Sequence, residues 1–272
     1  MKIIVLGSSG MLGKYVEKYL KKNHNVITLD RSQIDASNIS ELEVMNRLKK
    51  VGIVQGDTII NCIGTIKPRV DELGDLNAIK VNSIFPRILS NSCEKLKLNL
   101  IHPTTDCVYT GSKGKYNEDD NYDVYDVYGM SKAMGEPSNC TVIRTSIIGE
   151  EISNGRSLIE WIKSEKNNSV FGFTNHYWNG VTCLQFAKIC EKIINDNLFW
   201  KGIKHFHSNT LDKFELVKLI SDVFELNLTV SPKETEKKCD RSISSKFPLM
   251  FEIPSLEKQI KNLKEFSSEL YR

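Results

Sequence analysis

A chain of 272 residues with 40% hydrophobic and 26% charged residues has the composition of a globular protein, and its length favours one α/β body with a smaller appended lobe. A formal net charge of only +3, without a local lysine cluster, argues against a nucleic-acid partner or binding to a membrane surface. No apolar run approaches the roughly 20 residues that span a bilayer.

The cysteines and histidines show neither a disulfide pattern nor a metal-ligand spacing. The seven cysteines are odd in number, none forms a C-x-x-C pair, and most lie in apolar segments. We therefore expect reduced, buried thiols, no bound metal and a cytoplasmic protein. Met1 and Lys2 run directly into an apolar segment, so no signal peptide is expected.

The first thirteen residues predict a strand, a glycine loop and the start of a helix. The apolar run 1–6 leads directly into the segment Gly7-Ser8-Ser9-Gly10-Met11-Leu12-Gly13, and apolar residues then repeat with helical spacing at Leu12, Val16, Tyr19 and Leu20. In this context glycines let the backbone approach a pyrophosphate closely, and the helix N-terminus offers free N–H groups to it. We therefore expect a bound dinucleotide, although the spacing is G-x-x-G-x-x-G and plain tight turns also use glycine.

Residues 25–29 predict a second strand, which ends at Asp30. An acidic residue at this place would accept hydrogen bonds from the adenosine ribose, which favours NAD(H). Arg31 follows and would pair with a 2′-phosphate, which favours NADP(H), so the choice stays open, with a solvated turn as the further alternative. Residues 35–38 are expected to cap a helix that runs to about residue 50, with an inner face of Ile39, Leu42, Met45 and Leu48.

The elements expected next are an apolar strand over 58–64, a helix over 77–96 and a strand that begins at residue 98. The first of these suits a buried parallel strand whose carboxyl end faces the cofactor. Asn82 lies within the apolar sequence of the helix and is a candidate for a satisfied polar group that packs it against the sheet. Residues 111–126 predict a surface loop with solvated charges.

Tyr128 and Lys132 stand four residues apart, a spacing that puts both side chains on one face of a helix. A tyrosine has an ordinary pKa of about 10, too high for rapid proton exchange near neutrality. A nearby ammonium favours the phenolate and would lower this pKa. The Thr105 hydroxyl could complete a site that holds a carbonyl oxygen. The Y-x-x-x-K spacing is common alone and gains weight because it follows the glycine loop and the Thr-Thr-Asp strand end.

The second half of the chain predicts alternating strands and helices around an aromatic stretch. The expected elements are strands at 142–148 and 203–207 and helices at 158–165, 184–195, from 210 onward and 255–270. The aromatic stretch 171–182 suits core packing. The last helix carries an apolar stripe that would dock onto the body of the protein or onto a second subunit in a homodimer, formed by Leu256, Ile260, Leu263, Phe266 and Leu270.

The order GSSGMLG at 7–13, TTDCVY at 104–109 and YGMSK at 128–132 resembles the extended short-chain dehydrogenase/reductases, and most closely the dTDP-4-dehydrorhamnose reductases and related reductases of nucleotide-activated 4-keto-6-deoxy sugars. The segments 35–38 and 142–146 and the strand end at Asn61 match as well. The resemblance implies an α/β fold with a doubly wound parallel (Rossmann) sheet. It further implies an NAD(P)-binding domain over 1–150, a returning strand near 203–207 and a smaller, mainly substrate-binding lobe over 151–272.

The resemblance also implies roles for individual residues. Thr105, Tyr128 and Lys132 would be catalytic, with Tyr128 as general acid toward the C4 oxygen of a nucleotide-diphosphate sugar. The cofactor, NADPH or NADH, would contact Tyr128, Lys132 and the residues Gly7, Ser9, Gly10, Met11, Leu12, Asp30, Arg31, Asp35, Ala36, Cys62, Ile63 and Gly64. The substrate would contact Asp106, Cys107, Trp178, Asn179 and Arg241, whose planar guanidinium matches phosphate oxygens.

Several of these substrate residues have a plain alternative. Trp178, Asn179 and Gly180 belong to the aromatic stretch, where core packing weighs as much as contact with a sugar. Arg241 could equally be an unpaired surface arginine. Cys107 stands where the family often has an aromatic residue, and the segment 61–64 replaces a turn that is usually rich in alanine. Both departures point to a different nucleotide sugar, for example a UDP-linked N-acetylated one.

Three other functions are compatible with the same fold. A 4-epimerase or 4,6-dehydratase would keep its NAD bound through turnover, but Cys107 occupies the position at which the dehydratases usually carry a glutamate. A bifunctional epimerase–reductase would need an extra domain. A non-catalytic NADP-binding regulatory subunit would not need the intact Thr105, Tyr128 and Lys132. The sequence therefore favours a 4-keto reductase, expected to supply sugars for surface polysaccharide, and leaves dTDP or UDP open.

Overall fold

The computed structural model describes residues 1–151, 155 and 157–270. Its first half contains β1 (Lys2–Leu6), α1 (Met11–Leu20), β2 (Asn25–Leu29), α2 (Glu41–Lys50), β3 (Thr58–Asn61), α3 (Lys67–Leu73), α4 (Asp75–Ile79), α5 (Phe85–Lys95), β4 (Asn99–Thr104), α6 (Val127–Met134), β5 (Thr141–Arg144) and β6 (Ile147–Ile148). Its second half contains α7 (Leu158–Ser164), β7 (Ser169–Phe173), β8 (His176–Trp178), β9 (Val181–Thr182), α8 (Cys183–Asn195), β10 (Gly202–His205), β11 (Leu211–Asp212), α9 (Lys213–Phe224), β12 (Thr229–Lys233), β13 (Cys239–Asp240) and α10 (Leu256–Leu270).

Within the described residues, the central sheet has six parallel strands in the order β2-β1-β3-β4-β5-β10. The chain runs from β1 outward to β2 and then crosses to β3 on the other side of β1. Ligands of such sheets bind in the crevice outside the carboxyl ends of the strands, where the strand order reverses. All residues of β3 are buried, as expected of a strand covered on both faces. The prediction of a doubly wound α/β fold is therefore confirmed.

Helices cover both faces of the central sheet. On one face α1 and α8 pack against the strands through Val16, Phe186 and Ile143. On the other face α2 and α5 pack through Leu48 and Phe85. All five side chains are fully buried. Because α8 and β10 come from beyond residue 150, both halves of the chain build this body, and the domain boundary near residue 150 stays a prediction.

The C-terminal elements surround a second apolar cluster. Strands β11, β8 and β13 form a small sheet, while β7 pairs with β12 and β6 pairs with β9. Helices α7, α9 and α10 pack together through Ile162, Leu216 and Ile260. The apolar stripe predicted on the last helix is largely buried in this cluster, so α10 docks onto the body of its own chain. The homodimer remains a prediction.

Two helices begin later than predicted, because capping boxes fix their first turns. In each box the N-cap side chain accepts from the backbone of the third helical residue, whose carboxylate accepts in return; the pairs are Ser40 with Glu43 and Asp212 with Glu215. The inner face of α2 also differs from the prediction. Its buried residues are Val44 and Leu48, whereas Leu42 is 67% exposed. The apolar spacing was right for Leu48 and Ile39, wrong for Leu42, and missed Val44.

The helix predicted over 77–96 is interrupted by a π-helical turn, Lys80–Ile84, between α4 and α5. Pro86 lacks an N–H, so the carbonyl of Asn82 receives no α-helical hydrogen bond. The Asn82 side chain accepts from the backbone N–H of Thr65 at 2.8 Å and donates to the Thr65 carbonyl at 3.0 Å. It also donates to Ser131 Oγ at 3.2 Å. Asn82 is thus a satisfied polar group, but it joins its helix to α6 and the segment after β3.

The expectation of solvated charges in the loop before α6 is wrong for two of its acidic residues. Asp123 accepts from the backbone N–H and the hydroxyl of Thr110, each at 2.6 Å. Glu118 accepts from the backbone N–H of His205 at 2.8 Å and from Ser245 Oγ at 2.7 Å. These contacts fasten the loop to the central sheet and to the C-terminal segment. Long-range partners of this kind leave no local signal in the sequence.

The strand predicted over 142–148 divides into two strands. β5 ends in the central sheet at Arg144, whereas β6 pairs with β9 in the smaller lobe. Between them, the carbonyl of Ser146 accepts from the backbone N–H of Val181 at 2.8 Å. A Cβ at Gly180 would lie 2.2 Å from the same carbonyl oxygen, so only glycine permits this approach. The chain leaves the central sheet here and enters the smaller lobe.

Candidate functional site

A cleft of about 570 Å³ opens at the carboxyl ends of β1, β3 and β4, where the strand order reverses. The described residues that line it include much of the predicted site. The glycine loop contributes Ser9, Gly10, Met11 and Leu12, the segment after β3 contributes Cys62, Ile63 and Gly64, and the reactive end contributes Thr105, Cys107, Tyr128 and Lys132. The fold thus brings together groups that lie more than 100 residues apart.

The glycine loop forms a close, side-chain-free turn under the start of α1. Gly7 has φ +75°, and a Cβ there would lie 2.9 Å from the carbonyl carbon of Cys62. A Cβ at Gly13 would lie 2.1 Å from the carbonyl oxygen of Gly7. The N-cap of α1 is Gly10, no described side chain caps the helix, and its first turn holds no acidic residue. The free N–H groups and the positive helix dipole therefore suit an anion such as a pyrophosphate.

The residues predicted to contact the adenosine of the cofactor follow the carboxyl end of β2. They are not among the described residues that line the cleft. One carboxylate oxygen of Asp30 accepts from the backbone N–H and the hydroxyl of Ser32, at 2.8 and 2.5 Å, and these bonds lower the pKa of Asp30. Arg31 Nε lies 3.6 Å from Asp35 Oδ1. Ala36 lines a second cavity of about 450 Å³. All of these residues stay predictions for cofactor contact.

Tyr128 and Lys132 lie on α6 and both line the cleft, as their spacing predicted. The helix begins where Asp126 accepts from the backbone N–H of Gly129 at 2.9 Å. Lys132 Nζ donates to the carbonyl of Pro103 on β4 at 3.5 Å. Burial lowers the pKa of Lys132 to about 8. The ammonium is therefore held at the carboxyl end of the sheet. Its pKa of about 8 lies close to neutral pH, so it loses its proton only slightly above that pH.

Burial raises the pKa of Tyr128 well above its ordinary value. The neighbouring Cys107 and Asp106 raise it further, and a hydrogen-bonding interaction with Thr105 opposes them. The pKa of Tyr128 is therefore raised and not lowered, contrary to the expectation from Lys132, because removal from water is the largest effect on it. Tyr128 thus keeps its proton at neutral pH, as a general acid must.

Thr105 lies at the end of β4 with its hydroxyl fixed by its neighbours. Thr105 Oγ1 donates to Asp106 Oδ1 at 3.1 Å and accepts from the backbone N–H of Cys107 at 3.1 Å. Asp106 is only 3% exposed and its carboxylate orders this strand end, while its contact with the substrate stays a prediction. Cys107 lines the cleft, and burial raises the pKa of its thiol to about 12.

Trp178 and Asn179 belong to the packed interior. Trp178 is 4% exposed and lies in the apolar cluster of the smaller lobe. Asn179 Nδ2 donates to the carbonyl of Ile243 at 2.7 Å, and the backbone N–H of Ile243 donates to Asn179 Oδ1 at 3.0 Å. The packing alternative therefore describes both side chains in this structure. Their contact with a sugar stays a prediction.

Arg241 is half-buried behind the cleft wall. Its Nε donates to the carbonyl of Tyr109 at 3.0 Å, and its Nη1 lies 3.9 Å from the sulfur of Cys107. Since Cys107 lines the cleft, these contacts bring the guanidinium to the edge of the reactive end. The sequence alternative of an unpaired surface arginine is thereby excluded, and a role toward phosphate remains a prediction.

The sequence analysis missed several polar residues of the cleft. Thr65 lines it from the segment before α3, and Arg69 lines it from the first turn of α3. The sequence pattern did not predict this helix. Ser146, Glu151 and Ser157 line it from the segments that enter the smaller lobe. Short polar segments without apolar periodicity carry no signal that distinguishes a cleft wall from a solvent-exposed loop.

A buried ion pair holds the scaffold beneath the cleft. Arg144 and Glu136 are each 1% exposed at the side chain, and the guanidinium donates to both carboxylate oxygens, at 3.0 and 2.7 Å. Arg144 also donates to Tyr109 Oη at 2.7 Å and to His205 Nε2 at 2.8 Å. The network connects β5, β10 and the strand end that carries Thr105. The segment 142–146 had been matched by resemblance, but this role had not been predicted.

The described part of the chain contains no group of His, Cys, Asp and Glu side chains that could hold a metal ion. In residues 1–151, 155 and 157–270, no helix is both long and apolar enough to cross a membrane. All seven cysteines are described, and each carries a free thiol.

Comparison with known proteins finds relatives over most of the chain. The chain is 28% identical to a dTDP-4-dehydrorhamnose reductase of Aggregatibacter actinomycetemcomitans over 220 residues. The matched region covers 75% of this chain and 72% of the relative. It is also 21% identical to the methionine adenosyltransferase 2 subunit beta of Mus musculus, over 83% of this chain and 72% of the relative.

Solved structures share the fold over nearly the whole chain. A dTDP-4-dehydrorhamnose reductase of Bacillus anthracis, solved in complex with NADP, superposes with a TM-score of 0.81 at 20% identity, covering 98% of this chain and 99% of that one. The sequence model of the family described as RmlD substrate binding domain matches residues 1–247, which include the glycine loop, Thr105, Tyr128 and Lys132. The chain therefore belongs to the RmlD substrate binding domain family.

Proposed function

We propose that this protein is an NAD(P)H-dependent reductase of the C4 keto group of a nucleotide-diphosphate 6-deoxyhexulose. The observation that carries the proposal is the convergence of Thr105, Tyr128 and Lys132 in the same cleft as an uncapped helix N-terminus with a glycine turn. Relatives named dTDP-4-dehydrorhamnose reductase, one of them solved with NADP, support both the reaction and the cofactor.

The cofactor fits the residues that line the cleft. When bound, NAD(P)H supplies a hydride to the carbonyl carbon. The turn Gly7–Gly13 would hold the pyrophosphate, with Ser9, Met11 and Leu12 beside it, and the segment 62–64 would form the opposite wall. At the adenosine end, Asp30 and the residues Arg31, Asp35 and Ala36 would decide between NADH and NADPH. Lys132 would bind the nicotinamide ribose.

The side chains of the reactive end would handle the proton. Tyr128, kept protonated by burial, would donate its proton to the oxygen that becomes the C4 hydroxyl. Lys132 would stabilise the phenolate left behind, since its pKa of about 8 keeps most of the ammonium charged at neutral pH. Thr105 would turn its hydroxyl proton from Asp106 to the same substrate oxygen and orient it.

The substrate end of the proposal rests on Cys107 and Arg241. Arg241 places its guanidinium against Cys107, which lines the cleft, and its planar geometry suits the diphosphate. Cys107 puts a small side chain next to Tyr128, which leaves room for a substituent on the ring. We therefore name a UDP-linked N-acetylated sugar as the specific candidate beside the dTDP sugar of the relatives, with surface polysaccharide synthesis as its use. Asp106, Trp178 and Asn179 would act by shaping this end.

A non-catalytic regulatory subunit is the second candidate. The match to the methionine adenosyltransferase 2 subunit beta favours it, because that relative's name describes a subunit of an enzyme. Against it stand the intact Thr105, Tyr128 and Lys132, which a purely regulatory role would not require. The two candidates differ in one observable property, turnover of a keto sugar.

The test is oxidation of NADPH and of NADH, followed by the loss of nicotinamide absorbance, with enzymatically prepared dTDP- and UDP-4-keto-6-deoxyhexoses. The matched control is Tyr128→Phe, which keeps the ring and removes the acidic proton. Turnover by the wild-type protein but not by Tyr128→Phe is the expected result, and the preferred sugar would identify the nucleotide. Cofactor binding without turnover of any of these sugars would refute the reductase and support the regulatory candidate.

A further inference from the structure

Two cationic side chains flank one strand of the small sheet β11-β8-β13. Lys213 directly follows β11, and Arg241 directly follows β13. The strand between them is β8, which ends at Trp178; Leu211 pairs with Trp178 on one side, and the backbone N–H of Arg241 donates to the carbonyl of Tyr177 on the other. Two separate segments thus bring positive charges to the two sides of β8, and the two charges are close enough to interact electrostatically.

The Lys213 ammonium lies over an aromatic ring, with no acceptor among the described residues. Its Nζ lies 5.2 Å from the ring centroid of Trp178. In the described part of the chain, no hydrogen bond and no ion pair is made by this ammonium. The side chain is half-buried, and this burial lowers the pKa of its ammonium. A cation in this situation gains more than an exposed one from an anionic ligand.

Arg241 is fixed where it stands. Gly111 has φ +88°, and a Cβ there would lie 2.8 Å from Cys239 Sγ and 3.0 Å from Arg241 Cγ, so the glycine permits a close approach of the two segments. The Asn179 side chain holds the backbone of Ile243 just beyond. The guanidinium donates through Nε to the carbonyl of Tyr109. Among the described residues, Nε and Nη1 thus have partners, which leaves Nη2 of the guanidinium for a ligand.

The two cations share their surroundings with the reactive end of the cleft. Arg241 contacts Cys107, which lines the cleft together with Tyr128. Asp106, Cys107 and Arg241 all interact electrostatically with the Lys213 ammonium. Asp106 acts on both cations and Asp126 acts on Arg241 as well, whereas Lys213 forms no ion pair in the described part of the chain. An extended dianion is the ligand that would satisfy both cations.

We infer that Lys213 is a second cationic ligand for the diphosphate of the nucleotide-sugar substrate, acting beside Arg241. The inference rests on the proposed function for the identity of the substrate. It adds a binding residue on α9 that was not predicted from the sequence. A diphosphate fits because its two phosphate groups can each meet one cation, while the sugar extends past Cys107 toward Tyr128.

The test measures binding of inorganic pyrophosphate, UDP and dTDP by calorimetry to the intact protein with NADPH present. Lys213→Met keeps the aliphatic cover on Trp178 and removes the charge, and Lys213→Arg keeps the charge. Lys238→Met is the matched control, because Lys238 lies at the same 5.2 Å from the ring of Tyr177 but is exposed. Thermal unfolding of each variant reports whether the fold is retained.

Lys213→Met is expected to weaken binding of all three probes by about tenfold or more, the effect of losing one charge-assisted hydrogen bond. Lys213→Arg and Lys238→Met should bind them within about threefold of wild type, and the affinity for NADPH should not change. Unchanged probe binding by a folded Lys213→Met would overturn the inference, as would an equal loss in Lys238→Met. A loss of NADPH affinity instead would assign the cation to the cofactor and also overturn it.

This outcome is separable from that of the proposed function. If no 4-keto sugar were reduced while Lys213→Met still lost pyrophosphate and UDP binding, the proposed reaction would fail and the diphosphate site would stand. If sugars were reduced normally by Lys213→Met with unchanged KM, the diphosphate site would fail and the reaction would stand.

Discussion

The hydroxyl of Thr105 donates to Asp106 Oδ1 at 3.1 Å and accepts from the backbone N–H of Cys107 at the same distance. The hydroxyl is therefore held by the two residues that follow it, and it also interacts with Tyr128. Such a group is positioned before any substrate arrives, and binding requires only that its proton turn from one acceptor to another. The role proposed for the Thr105 hydroxyl toward the substrate can therefore be tested by variants that keep or remove the hydroxyl.

Thr105→Val is expected to lower kcat for sugar reduction by about 100-fold, about 2.7 kcal/mol of transition-state stabilisation, because the substrate oxygen loses an oriented donor. Thr105→Ser, which keeps the hydroxyl, should lose far less, and both variants should bind NADPH as the wild type does. Steady-state kinetics with cofactor titration would measure this. A kcat for Thr105→Val close to that of Thr105→Ser would show that the hydroxyl does not act on the substrate.

The pKa of Lys132, lowered to about 8 by burial, predicts how the reaction responds to pH. The proposed mechanism requires the charged ammonium, so kcat/KM for reduction should fall as the pH rises through about 8. Lys132→Arg keeps a positive charge at any accessible pH, so it should remove this decline even if its overall rate is lower. Rate profiles of both proteins would measure this. The same alkaline decline in Lys132→Arg would contradict the assignment to Lys132.

Two glycines of the nucleotide turn should respond differently to the same added methyl group. A Cβ at Gly10 would lie 3.5 Å from the nearest backbone oxygen, an ordinary contact, but it would stand at the cleft. A Cβ at Gly13 would lie 2.1 Å from the Gly7 oxygen and cannot be accommodated without moving the backbone. Gly10→Ala should therefore weaken NADPH binding with little change in thermal stability, whereas Gly13→Ala should lower both.

Calorimetric titration with NADPH and thermal unfolding of both variants separate these effects. Retention of cofactor affinity in Gly10→Ala would show that the pyrophosphate does not bind at the N-terminus of α1. The comparison also tests whether the close approach of Gly13 to Gly7 matters for the fold alone or for the cofactor too.

The features that could be predicted from sequence are those whose cause is local. The strand β2 was predicted over its full extent because its apolar run is short and bounded, and Tyr128 and Lys132 share a face because helix geometry fixes that spacing. The predicted start of α2 was wrong because the helix begins at a capping box and not where the apolar pattern begins. The Ser-x-x-Glu pattern of Ser40 and Glu43 is a local signal of this start.

The features that could not be predicted depend on partners distant in the chain. Asn82 joins its helix to the segment after β3 and to α6 through hydrogen bonds to Thr65 and Ser131, and the residues around position 82 give no sign of these partners. Lys213 is one lysine among many until the fold buries it against Trp178. The raised pKa of Tyr128 follows from burial, which the four-residue spacing to Lys132 cannot report.

His205 should make the stability of the protein depend on pH. Its ring is 1% exposed; Nδ1 faces the carbonyl of Ser244 at 2.8 Å, and Nε2 faces the Arg144 guanidinium at 2.8 Å. Burial and the charge of Arg144 lower its pKa to about 4 from an ordinary 6.5. A second proton would put an N–H against the guanidinium, so the neutral ring is the form that folds, with Nδ1 as donor and Nε2 as acceptor.

Because the folded pKa lies below the unfolded one, this stabilisation is complete above about pH 6.5 and is lost as the pH falls toward about 4. The loss should reach roughly 3 kcal/mol in the free energy of unfolding. His205→Gln cannot ionise; it should be less stable at neutral pH and should lose less of its remaining stability on acidification. Urea unfolding at several pH values, with His207→Gln as the control expected to keep the wild-type slope, would measure this. An unchanged pH slope in His205→Gln would assign the acid sensitivity to other groups.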